Sequence, residues 1–139
     1  MDPKYRVGIP EIDAQHEEID KLIASLQQVI AKPDQRYLVH ATLKRLNHLL
    51  TTHFGYEESL MQMVNYAELA HHKKMHKGIL TLFDNYFNQP PAPGDYENLA
   101  KLVSAKVLAH VVEHDVQMTG MVRDYLATFA AGPTEIAAG

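Results

Sequence analysis

Apolar positions recur along this chain with helical spacing in four stretches separated by sharp breaks. Ile12, Ile19, Leu22, Ile23, Leu26, Val29 and Ile30 define one face of a first helix. Asp13 is its expected N-cap, with Glu17 and Glu18 in the early turns. The residues up to about Pro10 read as an extended arm. "AKPD" ends the helix, because Pro33 cannot continue it. A longer helix is predicted from Gln35 to about Asn65, with Leu38, Leu43, Leu46, Leu49, Leu50 and Phe54 on its apolar side. "NYAE" is a short break, and a third helix follows from about Ala67 to Asn88. "QPPAPGD" is a loop, since its prolines and glycine defeat both helix and central strand. Asp95 is the expected cap of a fourth helix from about Tyr96 to near Met118, bent or ended by Gly120. "MVRDYLATFAA" reads as a last helical turn or a short C-terminal helix, about 121–131, and "GPTEIAAG" as a frayed tail. Strand signals are nearly absent. Four helices with short connections predict an all-α, antiparallel up-down-up-down four-helix bundle, about residues 12–118, in a single domain 1–139.

Composition narrows the chemistry. The formal net charge is -4 and no Lys/Arg-rich run stands out, which argues against nucleic acid as a partner. There are no cysteines, so disulfides, thiolate zinc sites and cysteine-held iron–sulfur clusters are excluded. No apolar run approaches the roughly 18 residues of a membrane helix, and the N-terminus shows no secretory h-region. A cytoplasmic protein is expected, without a membrane partner. The unusual feature is nine histidines.

Residues four apart on a helix differ by about 40° in direction and can aim at one point, whereas residues five apart differ by about 140°. Three pairs pass this test with ligand-type side chains: His53/Glu57 in "HFGYE", His72/His76 in "HKKMH" and His110/His114 in "HVVEH". One such pair is weak evidence; three, on three different helices, are harder to attribute to chance. Counted from the turns, His53 levels with His76, Glu57 with His72, and His110 with both histidines, while His16 on the first helix agrees more loosely. The heights converge on one layer of the bundle interior. A lone histidine on a polar face is ordinarily solvated, and His40, His48 and His71 are read that way. Met61, Met63, Met75, Met118 and Met121 are expected as core filler. Spacing selects Glu57 over its neighbour Glu58, which points away from His53 and is left as a solvent-side acid or a supporting one.

With "GIPEIDAQH", "HFGYEE", "HKKMH" and "HVVEHD" in order, the chain resembles the bacterial hemerythrins over about residues 5–118. The family pattern is a lone His on the first helix, then H-x-x-x-E, H-x-x-x-H and H-x-x-x-x-D. The resemblance implies a non-haem di-iron centre with His16, His53, Glu57, His72, His76, His110 and Asp115 as metal ligands. One iron would take His72, His76 and His110. The other would take His16 and His53 and keep one open position. Glu57 and Asp115 would bridge the two iron ions together with an oxo or hydroxo group. Asp115 lies five residues after His110, so a regular helix would turn it away and favour His114; a widened, π-like turn is therefore expected there. Ile19, Phe54, Val107 and Val111, each beside or one turn from one of these residues, are candidates to line the O2 pocket. Tyr5 and Lys106 stand near places where many relatives carry tryptophan.

The function that the resemblance implies is reversible O2 binding for storage, transport or supply, by a monomer and without catalytic residues. Its rivals are an O2- or redox-sensing domain signalling to a protein partner, and a di-iron redox enzyme. The chain ends soon after the bundle, so no built-in output domain is expected. Ferritin-like oxidases use two Glu-x-x-His motifs. Here "ELAH" is the only one, and histidines outnumber carboxylates in the expected site, which favours binding over oxidation.

Overall fold

A computed structural model describes residues 6–138, without the side chains of Pro93, His114, Val116 and residues 129–138. It is all-helical among the described residues: α1 (Pro10–Ala31), α2 (Leu38–Met63), α3 (Leu69–Asn88), α4 (Tyr96–His110) and α5 (Val116–Ala138). A five-residue π-turn, Val111–Asp115, joins α4 to α5. Single 3₁₀ turns at Pro33–Gln35 and Pro93–Asp95 occupy the two proline-marked connections.

Side-chain contacts fix the directions of the helices. His40, at the start of α2, packs its ring on Tyr86 and Phe87, at the end of α3. Glu58, near the end of α2, meets His76 in the first half of α3. Ile30 and Ala31, closing α1, share a surface hollow with Glu97 and Ala100, which open α4. His16, early in α1, reaches His53 late in α2 and Asp115 after α4. Neighbours around the ring therefore run antiparallel, as short connections require.

The core is split into two along the bundle axis. The larger part carries Leu26, Leu43, Leu46, Leu50, Phe83 and Val103 among its fully buried side chains. The smaller closes the opposite end with Val7, Ile9, Ile12, Met61, Tyr66, Met118 and Val122. Met61 and Met118 fill core space as expected, but Met63 and Met121 are about half exposed and Met75 lines a surface groove, so those three are not core filler.

Several boundaries move from their predicted places for identifiable reasons. α1 begins at Pro10, because a proline with its fixed φ and missing N–H suits the first helical position. Asp13 consequently lies inside the helix and caps nothing. Its carboxylate instead accepts the backbone N–H of Val7 at 2.7 Å and of Gly8 at 3.2 Å, pinning the arm to the bundle. Gly8 makes this turn at φ +87°, with the Arg123 side chain closing against it. α2 starts at Leu38 rather than Gln35, since the residues after Pro33 form the 3₁₀ turn first. It stops at Met63, two residues before Asn65, which adopts a left-handed φ of 54°. Asp95 sits at the cap position of α4 but makes no side-chain cap hydrogen bond. Gly120 does not end a helix: one glycine costs only about 1 kcal/mol against alanine, and α5 runs through it from Val116 to Ala138, which replaces the separate helix expected at 121–131 and the frayed tail. No helix among the described residues is long and apolar enough to cross a membrane.

The arm's attachment is testable. Asp13→Ala should cost about 1.5–3 kcal/mol in chemical denaturation, the scale of hydrogen bonds to a charged group, and should speed hydrogen exchange at the Val7 and Gly8 amides. Loss of protection at Gln15 and His16 instead would mean that Asp13 caps the helix after all.

Candidate metal centre

At the level where the two core clusters meet, the interior is polar. His16, His53, Glu57, His72, His76, His110 and Asp115 are all buried, and Glu57 and Asp115 are fully so. Each arrives by the local logic of its helix. His53 and Glu57 are one turn apart on α2, and His72 and His76 one turn apart on α3, so each pair shares a face. His16 projects from the second turn of α1 and His110 ends α4. Asp115 reaches the same layer because the π-turn Val111–Asp115 carries an i→i+5 repeat, which brings a residue five positions on back to the same side. The expected widening of this helix is therefore present. The rival position rests on the His114 side chain, which lies outside those described.

The imidazoles converge with their Nε2 atoms inward. His16 Nε2 is 3.2 Å from His53 Nε2, and His76 Nε2 is 3.0 Å from His110 Nε2. Two neutral imidazoles cannot both face lone pairs at such a distance without a proton or cation between them. The carboxylates stand between these groups. Asp115 points Oδ2 at His16 (3.0 Å) and His53 (3.5 Å), and Oδ1 at His110 (2.9 Å) and His72 (3.9 Å). Glu57 Oε1 lies 3.1 Å from His53, 3.5 Å from His76 and 3.7 Å from His110. Both acids thus span two groups, one of His16 and His53, the other of His72, His76 and His110.

Two overlapping sets could each hold a metal ion: His16, His53, Glu57 and Asp115, and Glu57, His76, His110 and Asp115. They share both carboxylates, the arrangement a pair of bridged ions requires. The donor chemistry fits. Neither Glu57 oxygen nor Asp115 Oδ1 finds a hydrogen-bond donor in good geometry, although all three atoms are buried. Metal coordination would satisfy these lone pairs.

Outside this ring, two residues hold imidazoles from behind. Gln15 Oε1 is 2.7 Å from His53 Nδ1, and Glu58 Oε2 is 2.8 Å from His76 Nδ1. Accepting a hydrogen bond from the Nδ1–H group keeps the proton on Nδ1 and leaves the Nε2 lone pair free to bind metal. Glu58 is thus the supporting acid, not a solvent-side one. Gln15 was not singled out from sequence; its position beside His16 was the available signal. Ile19, Val107 and Val111 line a small cavity with His16, Asp20 and Ile23. Phe54 does not line it. Its ring stacks on His76 with centroids 4.0 Å apart and planes 5° apart, and meets His110 edge-on. Lys106 lines a groove between α3 and α4 with Met75, Gly78 and Glu113. Tyr5 lies outside the described residues. His40, His48 and His71 are exposed, as expected.

Charge balance explains the protonation pattern. Burial pulls His53 down, but the Glu57 charge and contacts with Asp115 push it up to about 9. Burial likewise opposes His110, which contacts with Asp115 and Glu57 raise to about 9. For His72 burial dominates, reinforced by His110, and its value falls to about 4. Burial would raise Asp115, yet the imidazoles of His110, His16 and His53 hold it well below the usual carboxylate range. Glu57 is lowered too, against burial and the Asp115 charge, by His53 and His110. The metal-free protein should then be most stable near pH 6.5, because His72, lowered to about 4, costs stability as pH falls below its ordinary 6.5. Its raised histidines contribute fully below their ordinary 6.5 and lose that contribution as pH climbs through 9, and the lowered acids lose theirs as pH falls from their ordinary 3.8 and 4.5. Metal needs neutral imidazole. Divalent metal uptake at pH 7 should therefore expel about two protons, from His53 and His110, and apparent affinity should rise up to about pH 9. Calorimetry in buffers of different ionisation enthalpy checks this; uptake without proton release contradicts it.

Comparison with known proteins agrees with this geometry. The chain matches the family model "Hemerythrin HHE cation binding domain" over residues 7–122. It is 27% identical over 125 residues to a protein of Stenotrophomonas maltophilia (strain R551-3) named bacteriohemerythrin, covering 89% of this chain and 81% of that one. No solved structure matches. The chain belongs to the hemerythrin HHE cation-binding domain family.

Proposed function

We propose that this chain binds O2 reversibly at two iron ions inside the bundle, as a store, carrier or local supply. The observation that carries the reading is the pair of carboxylates shared between unequal groups of histidines. In this reading His72, His76 and His110 hold one ion and His16 and His53 the other. Glu57 and Asp115 would be the carboxylates shared between the two ions, with an oxo or hydroxo group as the further donor the family resemblance implies. Two Fe(II) against two carboxylates and one hydroxide leave roughly +1, a charge that a buried polar site tolerates far better than bare metal. When bound, the ferrous pair supplies the electrons with which O2 is held.

The half with two histidines is one donor short of its partner, and that half adjoins the cavity. Its volume is about 10 Å³, room for roughly one water-sized molecule. Ile19, Val107 and Val111 make its walls apolar beside His16. Such a wall admits a small neutral diatomic and disfavours water and ions. Iron rather than zinc or manganese comes from the relatedness, since imidazole and carboxylate accept all three.

Reduced protein should carry two irons per chain and change its visible spectrum on adding O2, reversing when O2 is removed. Fewer irons, or lasting oxidation after one exposure, would contradict a carrier. Glu57→Ala should lose iron from both positions, whereas Glu58→Ala should still fill them at saturating metal; equal iron content in the two variants would refute the assignment. Val107→Ile should narrow the cavity by one methylene, keep both irons and slow O2 binding. Unchanged O2 kinetics in a folded, iron-loaded Val107→Ile protein would remove the cavity from the account.

A further inference from the structure

The two halves of the centre differ in what stands behind their histidines, not only in how many there are. On α1, Gln15 follows its helix face to one side of His16 and reaches across to His53 of α2, 2.7 Å from Nδ1. On α2, Glu58 does the same beside Glu57, reaching His76 of α3 at 2.8 Å. The two contacts are alike in length and in the ring atom they hold, and they differ by one charge. A carboxylate draws the Nδ1 proton more strongly than an amide oxygen does, and so makes the opposite nitrogen a better electron-pair donor. It also places a negative charge one imidazole away from the metal position. Glu58 is only partly exposed, its side chain at 28%, so solvent does not fully screen that charge.

We infer that Glu58 and Gln15 set the order in which the two metal positions fill, with the carboxylate making the His72, His76 and His110 half the tighter. The inference rests on the two-ion reading of the site but not on O2 or iron. Both residues act through a histidine, so they are positioning residues, and charge-only exchanges separate electronic effects from simple support of the ring. Glu58→Gln keeps an acceptor and removes the charge; Gln15→Glu keeps an acceptor and adds one.

The test is stepwise Co(II) binding to metal-free protein, followed by calorimetry, with ring proton spectra recorded at one equivalent. The parent should bind two ions in resolved steps, the first perturbing His72, His76 and His110. Glu58→Gln should weaken the first step about tenfold, at the low end of what supporting partners of ligand histidines contribute, and leave the second within about twofold. Gln15→Glu should strengthen the second step alone, and the double exchange should bring the steps together or invert them. Equal weakening of both steps in Glu58→Gln, no change in either variant, or first filling at His16 and His53 in the parent overturns the inference. Absence of Co(II) binding to the parent removes the two-ion site itself, whereas intact Co(II) binding without O2 binding sinks only the carrier reading.

Discussion

Two carboxylates buried in the middle of a helical bundle demand compensation, and the rest of the structure is arranged around supplying it. Glu57 and Asp115 have no access to water, and an isolated ionised acid in such a place would take up a proton instead. Imidazoles brought in from all four helices of the ring hold both acids ionised. They also leave Nε2 atoms facing each other across 3.0–3.2 Å. Protons on some of these nitrogens balance the metal-free protein; metal cations balance it better, since each can satisfy several donors at once. The apolar core on either side gives the helices the rigidity that such a convergence needs.

That demand accounts for the main departure from regular helix. A straight α4 would aim Asp115 about 140° away from His110. The π-turn at Val111–Asp115 corrects this and returns the acid to the centre. The Thr119 hydroxyl then donates to the Asp115 carbonyl at 2.6 Å, which helps satisfy the backbone after the widened turn. At the same end, the arm of Val7 and Ile9 covers the smaller core cluster and is tied down by Asp13. That end of the bundle is thus covered by residues 6–9, which have no regular structure.

Most of this was legible in the sequence because it follows from helical periodicity. The i,i+4 rule places Glu57 with His53 and pairs His72 with His76, and depth counted from the turns brings the helices to one layer. The rule fails at Asp115, where only the family pattern with its five-residue spacing pointed to a bulge. It fails differently at Asp13. Its local context suits an N-cap, but Pro10 starts the helix one turn earlier and frees the carboxylate for the arm. Gln15 was not legible, since its role comes from reaching a neighbouring helix, and spacing within one helix carries no information about that. Phe54, expected among the pocket-lining residues, stacks on His76, a contact that depends on the rotation of α2 against α3 and is not readable from spacing within one helix.

The central claim is that Asp115, carried in by the π-turn, joins Glu57 in bridging two ions. Diffraction from iron-loaded crystals at the iron absorption edge tests it most directly. The account predicts two anomalous peaks per chain, with one Asp115 oxygen toward the ion held by His16 and His53 and the other toward the ion held by His72, His76 and His110. A single peak, or an ion bound by His114 with Asp115 turned away, would contradict it.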